Sequence, residues 1–218
     1  MKNFSRQPEQ GARTNASWYD RHVLPHLLDF ACGMKPIRRQ RAMIVPLAHG
    51  RVLEVGIGLN MPFYDTSRVS YIIGVDPALQ MHRLASKRIA RAGLDVELVG
   101  VTAETIPLEE ASIDTVVTTY TLCTIADPVV ALREMRRVLV PGGRLLFCEH
   151  GRAPDENVRR WQSRLQPHWQ KIAGGCHLDR DVPALLDEAG FRCDSLQARY
   201  LPGPRLLTFN YWGEAVAA

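Results

Sequence analysis

Arg51-Val-Leu-Glu-Val-Gly-Ile-Gly-Leu-Asn60 and Tyr71-Ile-Ile-Gly-Val-Asp-Pro77 are the two stretches of sequence that decide the fold. Each begins as a short apolar run that is typical of a buried strand. The first run opens into a turn at Gly56 and Gly58, where the absence of a Cβ lets backbone N–H groups approach a ligand. The second run ends at Asp76, about eighteen residues further on, which is the usual position of a carboxylate that binds ribose hydroxyls. Together the two stretches predict a site for an adenosine-containing cofactor.

The glycine turn helps to distinguish between NAD, FAD and S-adenosylmethionine (SAM), which all bind to sites of this kind. A dinucleotide site has a third glycine that packs the following helix against the strand and exposes N–H groups to the pyrophosphate. Here Leu59-Asn-Met-Pro62 follows instead. Glu54, just before the turn, would repel a pyrophosphate but could bind the ammonium group of a methionine. These residues favour SAM.

Composition indicates an ordinary globular domain. The chain has 218 residues, of which 46% are hydrophobic and 23% are charged, and its net charge of +4 is too small for a typical nucleic-acid-binding surface. Five cysteines without a Cys-x-x-Cys pair argue against both a disulfide framework and a zinc site. The segment from Met1 to Asp20 lacks the apolar core of a signal peptide, and no apolar run approaches the roughly eighteen residues of a membrane span. We therefore expect a cytoplasmic protein.

The chain is predicted to form a single domain over residues 1–218 in three parts. Residues 1–48 form a helical lid, residues 49–150 form the cofactor-binding core, and residues 151–218 supply the acceptor-side helices and closing strands. The first lid helix, Trp18 to Met34, is apolar around much of its circumference, so it could also contact the inner face of a membrane. A second, basic helix is predicted between Pro36 and Pro46.

Strand and helix patterns then alternate, which predicts an α/β fold with a doubly wound parallel sheet. Strands are predicted at residues 51–55, 71–75, 96–99, 114–120, 144–148, 191–200 and 206–216. Asp76-Pro77, Asp127-Pro128 and Asp181 are each predicted to begin a helix as its N-cap. A further helix from Asn157 to Ala173 is expected to be interrupted at Pro167.

These motifs together resemble the class I SAM-dependent methyltransferases over nearly the whole chain. The matching segments are Leu53 to Gly58, Gly74 to Pro77, Ala103-Glu104, Asp114 to Tyr120, and Arg133 to Arg144 with its Pro-Gly-Gly turn. The resemblance implies a Rossmann-like sheet of seven strands with an antiparallel last strand and an N-terminal helical lid. It also implies that SAM is the cofactor.

Within this family the chain resembles the branch that contains the quinone C-methyltransferases and phosphatidylethanolamine N-methyltransferases, and more closely the alkyl thiol methyltransferases. The segments that carry this likeness are Thr121-Leu-Cys123, Cys148 to Gly151, Trp161-Gln162, Pro167-His-Trp169 and Gly174 to Arg180. They imply in-line methyl transfer to a small-molecule acceptor, preferably a thiol or another soft lipophilic nucleophile. An aminolipid or a quinone precursor is the alternative acceptor.

A second alternative comes from the glycine loop, which is shorter in this chain than in the family. The short segment Gly58 to Pro62 would hold the carboxypropyl end of SAM in a tighter turn. A SAM-binding protein without methyltransferase activity is therefore the alternative of a different class.

The resemblance also implies roles for the predicted site residues. The cofactor-binding set is Glu54, Gly56, Gly58, Asp76, Pro77, Ala103, Glu104, Tyr120 and Thr121. Within it, the glycines contact the methionine portion, Asp76 binds both ribose hydroxyls, and Ala103 with Glu104 lies at the edge of the adenine. Asp76 could instead serve only as a helix N-cap.

The candidate catalytic residues, all on the acceptor side, are Tyr120, Cys123, His150 and His177. The two histidines are the acid–base candidates, because histidine titrates near neutral pH. Cys123 could instead be a small buried apolar residue. No metal is expected, because the set Cys148, Cys176 and His177 has no recognised ligand spacing. The predicted partners are a small-molecule or lipid acceptor and no nucleic acid.

Overall fold

A seven-stranded sheet forms the centre of the protein, which a computed structural model describes over residues 18–217. The strands are β1 (Gly50–Val55), β2 (Val69–Val75), β3 (Val96–Val99), β4 (Ile113–Thr119), β5 (Leu139–His150), β6 (Phe191–Tyr200) and β7 (Phe209–Ala217). Their order is β3-β2-β1-β4-β5-β7-β6, and β7 is antiparallel to both of its neighbours. The prediction of a Rossmann-like sheet with an antiparallel last strand is confirmed.

Both faces of the sheet are buried, because successive residues of a strand point to opposite sides. On one face, Leu53 and Val116 belong to a cluster that includes residues of the helices after β4 and before β6. On the other face, Val52 and Val117 pack with residues at the end of the lid and with residues of the helix after β2. The chain leaves β1 and β4 in opposite directions along the sheet, which opens a crevice at their carboxyl ends.

In the described part of the predicted lid, residues 18–48, the chain forms the helices α1 (Trp18–His22), α2 (Leu24–Cys32) and α3 (Lys35–Ile44). The prediction of one continuous helix from Trp18 to Met34 is wrong, since the helix breaks at Val23. Pro25 lacks the N–H group that would continue the hydrogen-bond ladder from the preceding turn. No helix between residues 18 and 217 combines the length and apolar character that crossing a membrane requires. The predicted polar start, residues 1–17, lies outside the described residues.

Five helices follow the lid: α4 (Leu79–Ala92), α5 (Pro128–Val138), α6 (Glu156–Ile172), α7 (Val182–Glu188) and α8 (Arg205–Thr208). The side chain of Asp127 accepts the N–H of Val130 at 3.0 Å, which confirms its N-cap role. The same prediction for Asp76 is wrong, because α4 begins later, after Ala78. Asp76 Oδ1 instead accepts the N–H of Ala78 at 2.8 Å, in a turn between β2 and α4.

Two more predictions in the last third of the chain need correction. Helix α6 passes through Pro167 without interruption. Two buried glutamines in the turns before the proline, Gln162 and Gln166, bond to backbone groups outside the helix and hold it in place. The expected strand over 206–216 begins as α8 and becomes β7 only at Phe209.

Candidate functional site

The glycine turn after β1 lies in the crevice between β1 and β4 and has no room for side chains. Gly56 and Gly58 have φ angles of +78° and +114°, which L side chains rarely adopt. A Cβ on Gly56 would lie 2.2 Å from Oγ1 of Thr121, and one on Gly58 would lie 2.7 Å from Cβ of Ala85. The two glycines therefore form a close-fitting cradle at the end of β1.

Glu54 supports this turn from inside the protein. It is fully buried, and its carboxylate accepts the N–H of Gly58 at 3.1 Å and the hydroxyl of Tyr64 at 2.7 Å. Burial raises the pKa of Glu54 to about 7, although these hydrogen bonds act in the opposite direction. Glu54 thus fixes the conformation of the turn, and its contact with a methionine ammonium group stays a prediction.

The residues predicted to bind ribose and adenine lie at the same edge of the sheet. Asp76 is half-buried at the tip of β2, where burial raises its pKa, and the exposed Pro77 follows it. Ala103 is buried beyond β3. The carboxylate of Glu104 accepts the N–H of Asp127 at 3.2 Å, which links the loop after β3 to the start of α5.

Tyr120 and Thr121 follow β4 on the other side of the crevice. Tyr120 has a φ of +56°, which is strained for a residue with a side chain. Its hydroxyl donates to Oδ1 of Asn210 at 2.6 Å, and its ring stacks on the ring of His150 with centroids 6.5 Å apart. The N–H of Thr121 donates to the buried carboxylate of Glu149 at 2.9 Å.

Cys123, His150 and Cys176 form a compact group next to Tyr120. One ligand atom from each of the three lies within 4.8 Å of the other two, and Sγ of Cys176 is 3.2 Å from Nε2 of His150. Hydrogen bonds from Cys123 and His150 lower the pKa of the Cys176 thiol. Three elements that are far apart in sequence thus meet at one point.

His177 is not a member of this group through its side chain. Its backbone N–H donates to the carbonyl of Cys123 at 2.8 Å, so it helps to fix the neighbouring loop. Of the four predicted acceptor-side residues, the structure therefore brings together Tyr120, Cys123 and His150. Cys176 takes the place that the sequence had suggested for His177.

Arg41 of α3 is a site residue that the sequence analysis missed, because the basic run from Arg38 to Arg41 resembles a solvated helix face. It is buried, and its Nη1 donates to Oδ1 of Asn60 at 2.7 Å and to the hydroxyl of Thr119. Its guanidinium group lies 5.2 Å from the centre of the Tyr120 ring. The structure places this cation at the carboxyl ends of β1 and β4, but nothing in the sequence distinguishes it from the other basic residues of α3.

Two buried donors near the glycine turn have no hydrogen-bond partner within the described part of the chain. They are Nε of Arg41 and Nδ2 of Asn60. Buried polar groups are normally paired, so free donors of this kind fit an incoming anionic group. Together with the cradle at Gly56 and Gly58 they fit the carboxylate end of a SAM molecule.

Comparisons with known proteins agree with this geometry. A family model described as "Methyltransferase domain" matches residues 53–147. Human thiol S-methyltransferase TMT1A is 34% identical over 175 residues, which cover 76% of this chain and 70% of that protein. Rat thiol S-methyltransferase TMT1B is 33% identical over 156 residues, which cover 70% of this chain but only 62% of that protein. The chain therefore spans less than two thirds of the length of the TMT1B relative.

A solved structure from Thermotoga maritima shows the same fold. It is described as a SAM-dependent methyltransferase and possible histamine N-methyltransferase, and it superposes with a TM-score of 0.62. It is 22% identical in sequence, and the match covers 92% of this chain and 98% of that one. The family model, the relatives and the fold agree: the chain belongs to the class I SAM-dependent methyltransferases, and its cofactor is SAM.

Proposed function

We propose that this chain transfers the methyl group of SAM to a thiol on a small, lipophilic acceptor. The observation that carries the proposal is the wall of Tyr120, Cys123, His150 and Cys176, which lies beside the glycine cradle at the carboxyl ends of β4 and β5. The relatives named thiol S-methyltransferases support the choice of acceptor. Because the match covers only part of the TMT1B protein, the activity itself is part of the proposal.

The cofactor half of the site orients its ligand rather than reacting with it. SAM supplies an activated methyl group on a sulfonium sulfur, so the protein contributes mainly alignment and exclusion of water. We assign the methionine end to Gly56, Gly58 and the free donors of Arg41 and Asn60, and the ribose to Asp76. On this assignment Arg41 neutralises the carboxylate of the methionine end inside the lid.

The acceptor half has to favour a thiolate over a thiol, because the thiolate is the nucleophile. The methyl then moves from a cationic sulfur to an anionic one, and both charges disappear. A site that excludes water favours such a step. Helix α2 supports this arrangement, because it exposes the apolar side chains of Leu27 and Phe30, which suit a lipophilic acceptor or a membrane surface.

Labelled SAM with a panel of acceptors tests the proposal. The panel contains alkyl thiols, a demethylated quinone precursor, and vesicles with phosphatidylethanolamine. The last two are included because a demethylmenaquinone methyltransferase of Thermus thermophilus is 28% identical over 130 residues and a phosphatidylethanolamine N-methyltransferase of Cereibacter sphaeroides is 32% identical over 130 residues. We expect label in the thiols.

The other results of this panel are equally informative. Transfer confined to the aminolipid would reject the thiol proposal. Binding of SAM in calorimetry with no transfer to any acceptor would favour a protein that binds SAM without catalysing methylation.

A further inference from the structure

We propose that Cys123, His150 and Cys176 bind a zinc ion and leave one coordination position for the acceptor sulfur. The three residues are more than twenty positions apart in the sequence, so no metal-ligand motif predicts the site. The metal site stands on the geometry of these side chains, whereas the role of its free position rests on the proposed thiol methyl transfer.

The ligand atoms lie close enough together for small side-chain shifts to place them around one zinc ion. Zinc binds thiolate sulfur at about 2.3 Å and imidazole nitrogen at about 2.0 Å, which places tetrahedral ligands about 3.5 to 3.8 Å apart. The three ligand atoms lie within 4.8 Å of one another, and the sulfur of Cys176 is 3.2 Å from Nε2 of His150. Two thiolates and one neutral imidazole suit zinc and balance its charge.

Hydrogen bonds to the backbone hold the two cysteine loops in place. Gln166 bonds the carbonyl of Cys176 at 3.2 Å, and the N–H of His177 bonds the carbonyl of Cys123 at 2.8 Å. The guanidinium group of Arg180 donates to the carbonyls of Leu122 and Ile125 on either side of Cys123. A metal would therefore enter a site whose ligands are already oriented.

The group has three ligands in the described residues, so a tetrahedral ion keeps a fourth position. Three protein ligands with one open position are typical of catalytic rather than structural zinc. The sulfur of Cys32 in α2 is not among the grouped ligand atoms. The free position therefore belongs to an incoming ligand.

The proposed step balances without another reagent. Binding of zinc releases to solvent the proton of Cys123 and the proton that Cys176 and His150 share, and coordination of the acceptor thiol releases one more. A lone pair of the bound acceptor sulfur then forms the new S–CH3 bond. The bond between the methyl and the SAM sulfur breaks, and its electron pair stays on that sulfur as S-adenosylhomocysteine forms. The product thioether is neutral, so it binds zinc more weakly than the thiolate and leaves.

Cobalt(II) is the probe for this site, because it substitutes for zinc and absorbs light. The reduced 218-residue chain is titrated with cobalt and then with zinc as competitor, without SAM. We expect one equivalent to bind with a sulfur-to-cobalt charge-transfer band and the visible spectrum of a tetrahedral ion. Cys123→Ser, Cys176→Ser and His150→Gln should each weaken binding by at least about 100-fold. Cys193→Ser and Cys32→Ser are the matched controls and should keep wild-type affinity.

Calorimetric binding of SAM to each variant shows that a loss of metal is not a loss of fold. The metal site would be overturned if the wild type bound cobalt no more tightly than the three ligand variants. It would also be overturned if Cys193→Ser lost as much cobalt affinity as they do. An alkyl thiol should shift the cobalt spectrum of the wild type. No shift, or a spectrum that changes in Cys32→Ser, would overturn the open position. Methyl transfer that survives complete removal of metal would leave the proposed function intact and remove the catalytic part of this inference.

Discussion

Asp76 makes one local hydrogen bond, with the N–H of Ala78, and does not cap the helix that follows. Since it does not cap α4, its half-buried carboxylate stays at the tip of β2. We expect Asp76→Ala to weaken binding of S-adenosylhomocysteine by about tenfold to a hundredfold, the loss of one or two hydrogen bonds to a charged group. Calorimetry measures this directly. Asp194→Ala, on the exposed edge strand, is the control, and unchanged affinity in Asp76→Ala would refute the ribose role.

Glu54 should make the stability of the protein depend on pH. Burial raises its pKa from 4.5 to about 7, so the native state holds a proton that the unfolded state releases over this range. The free energy of unfolding contributed by Glu54 is therefore present below about pH 4.5 and is lost as the pH rises to 7. Tyr64, which donates its hydroxyl to Glu54, stays protonated throughout this window because burial raises its pKa.

Glu54→Gln should remove this pH dependence, because an amide does not ionise. Urea unfolding at pH 5 and pH 8 is the measurement. The wild type should lose about 2 kcal/mol more than Glu54→Gln between the two pH values. Glu188→Gln, an exposed control on α7, should behave like the wild type. Parallel pH profiles for the wild type and Glu54→Gln would contradict the assignment.

At the scale of elements, the buried side chain of Gln162 ties α6 to three neighbouring segments of backbone. Gln162 accepts the N–H of Ala153 at 3.0 Å, and its amide nitrogen lies 3.0 to 3.1 Å from the carbonyl oxygens of Gly151, Leu178 and Leu206. We expect Gln162→Leu to lower the free energy of unfolding by about 3 kcal/mol, because it leaves several buried groups unpaired. Gln80→Leu, on the exposed face of α4, is the matched control and should change stability by less than about 0.5 kcal/mol.

Elements were predictable where the determining interaction is local. Asp127 and Asp181 each cap a helix through an N–H three residues further on, which a sequence pattern can reveal. Phe191 to Tyr200 was predicted as a strand and is one. Asp76-Pro77 has the same local pattern but does not begin a helix, because the chain continues as a turn until Ala78. Pro167 was misjudged because Gln162 and Gln166 hold α6 through contacts that only the tertiary structure creates.

At the scale of the whole molecule, local unfolding should cost less free energy in the lid than in the sheet. Helix α2 exposes Leu27 and Phe30, and its tie to α4 is the half-buried ion pair of Asp29 with Arg88 at 2.8 Å. Hydrogen exchange should therefore be faster in residues 24–32 than in β1 and β4, because few buried contacts resist local opening. S-adenosylhomocysteine should slow exchange in α2 and α3 of the wild type, and much less in Asp76→Ala. Equal protection of lid and sheet without ligand would contradict this prediction.

The candidate site was predictable on its cofactor side and much less on its acceptor side. The glycine turn and Asp76 occupy neighbouring strand ends, and a parallel sheet brings such ends together. Arg41 reaches the cleft from α3, Trp169 from α6 and Cys176 from the loop after α6. Their positions depend on how those segments fold back over the sheet, and no local pattern encodes that. His177 was chosen in place of Cys176 because histidine is the more familiar acid–base residue.

The edge strands of the sheet have a consequence for the behaviour of the protein at high concentration. One edge, β3, has only four residues, and the other, β6, is long and largely exposed. If two copies paired antiparallel about the middle of β6, Arg192 would lie opposite Arg199, and like charges repel in such a pair. Charged edge strands of this kind discourage strand addition between molecules. Replacing both arginines with valine would turn this edge into a template for aggregation.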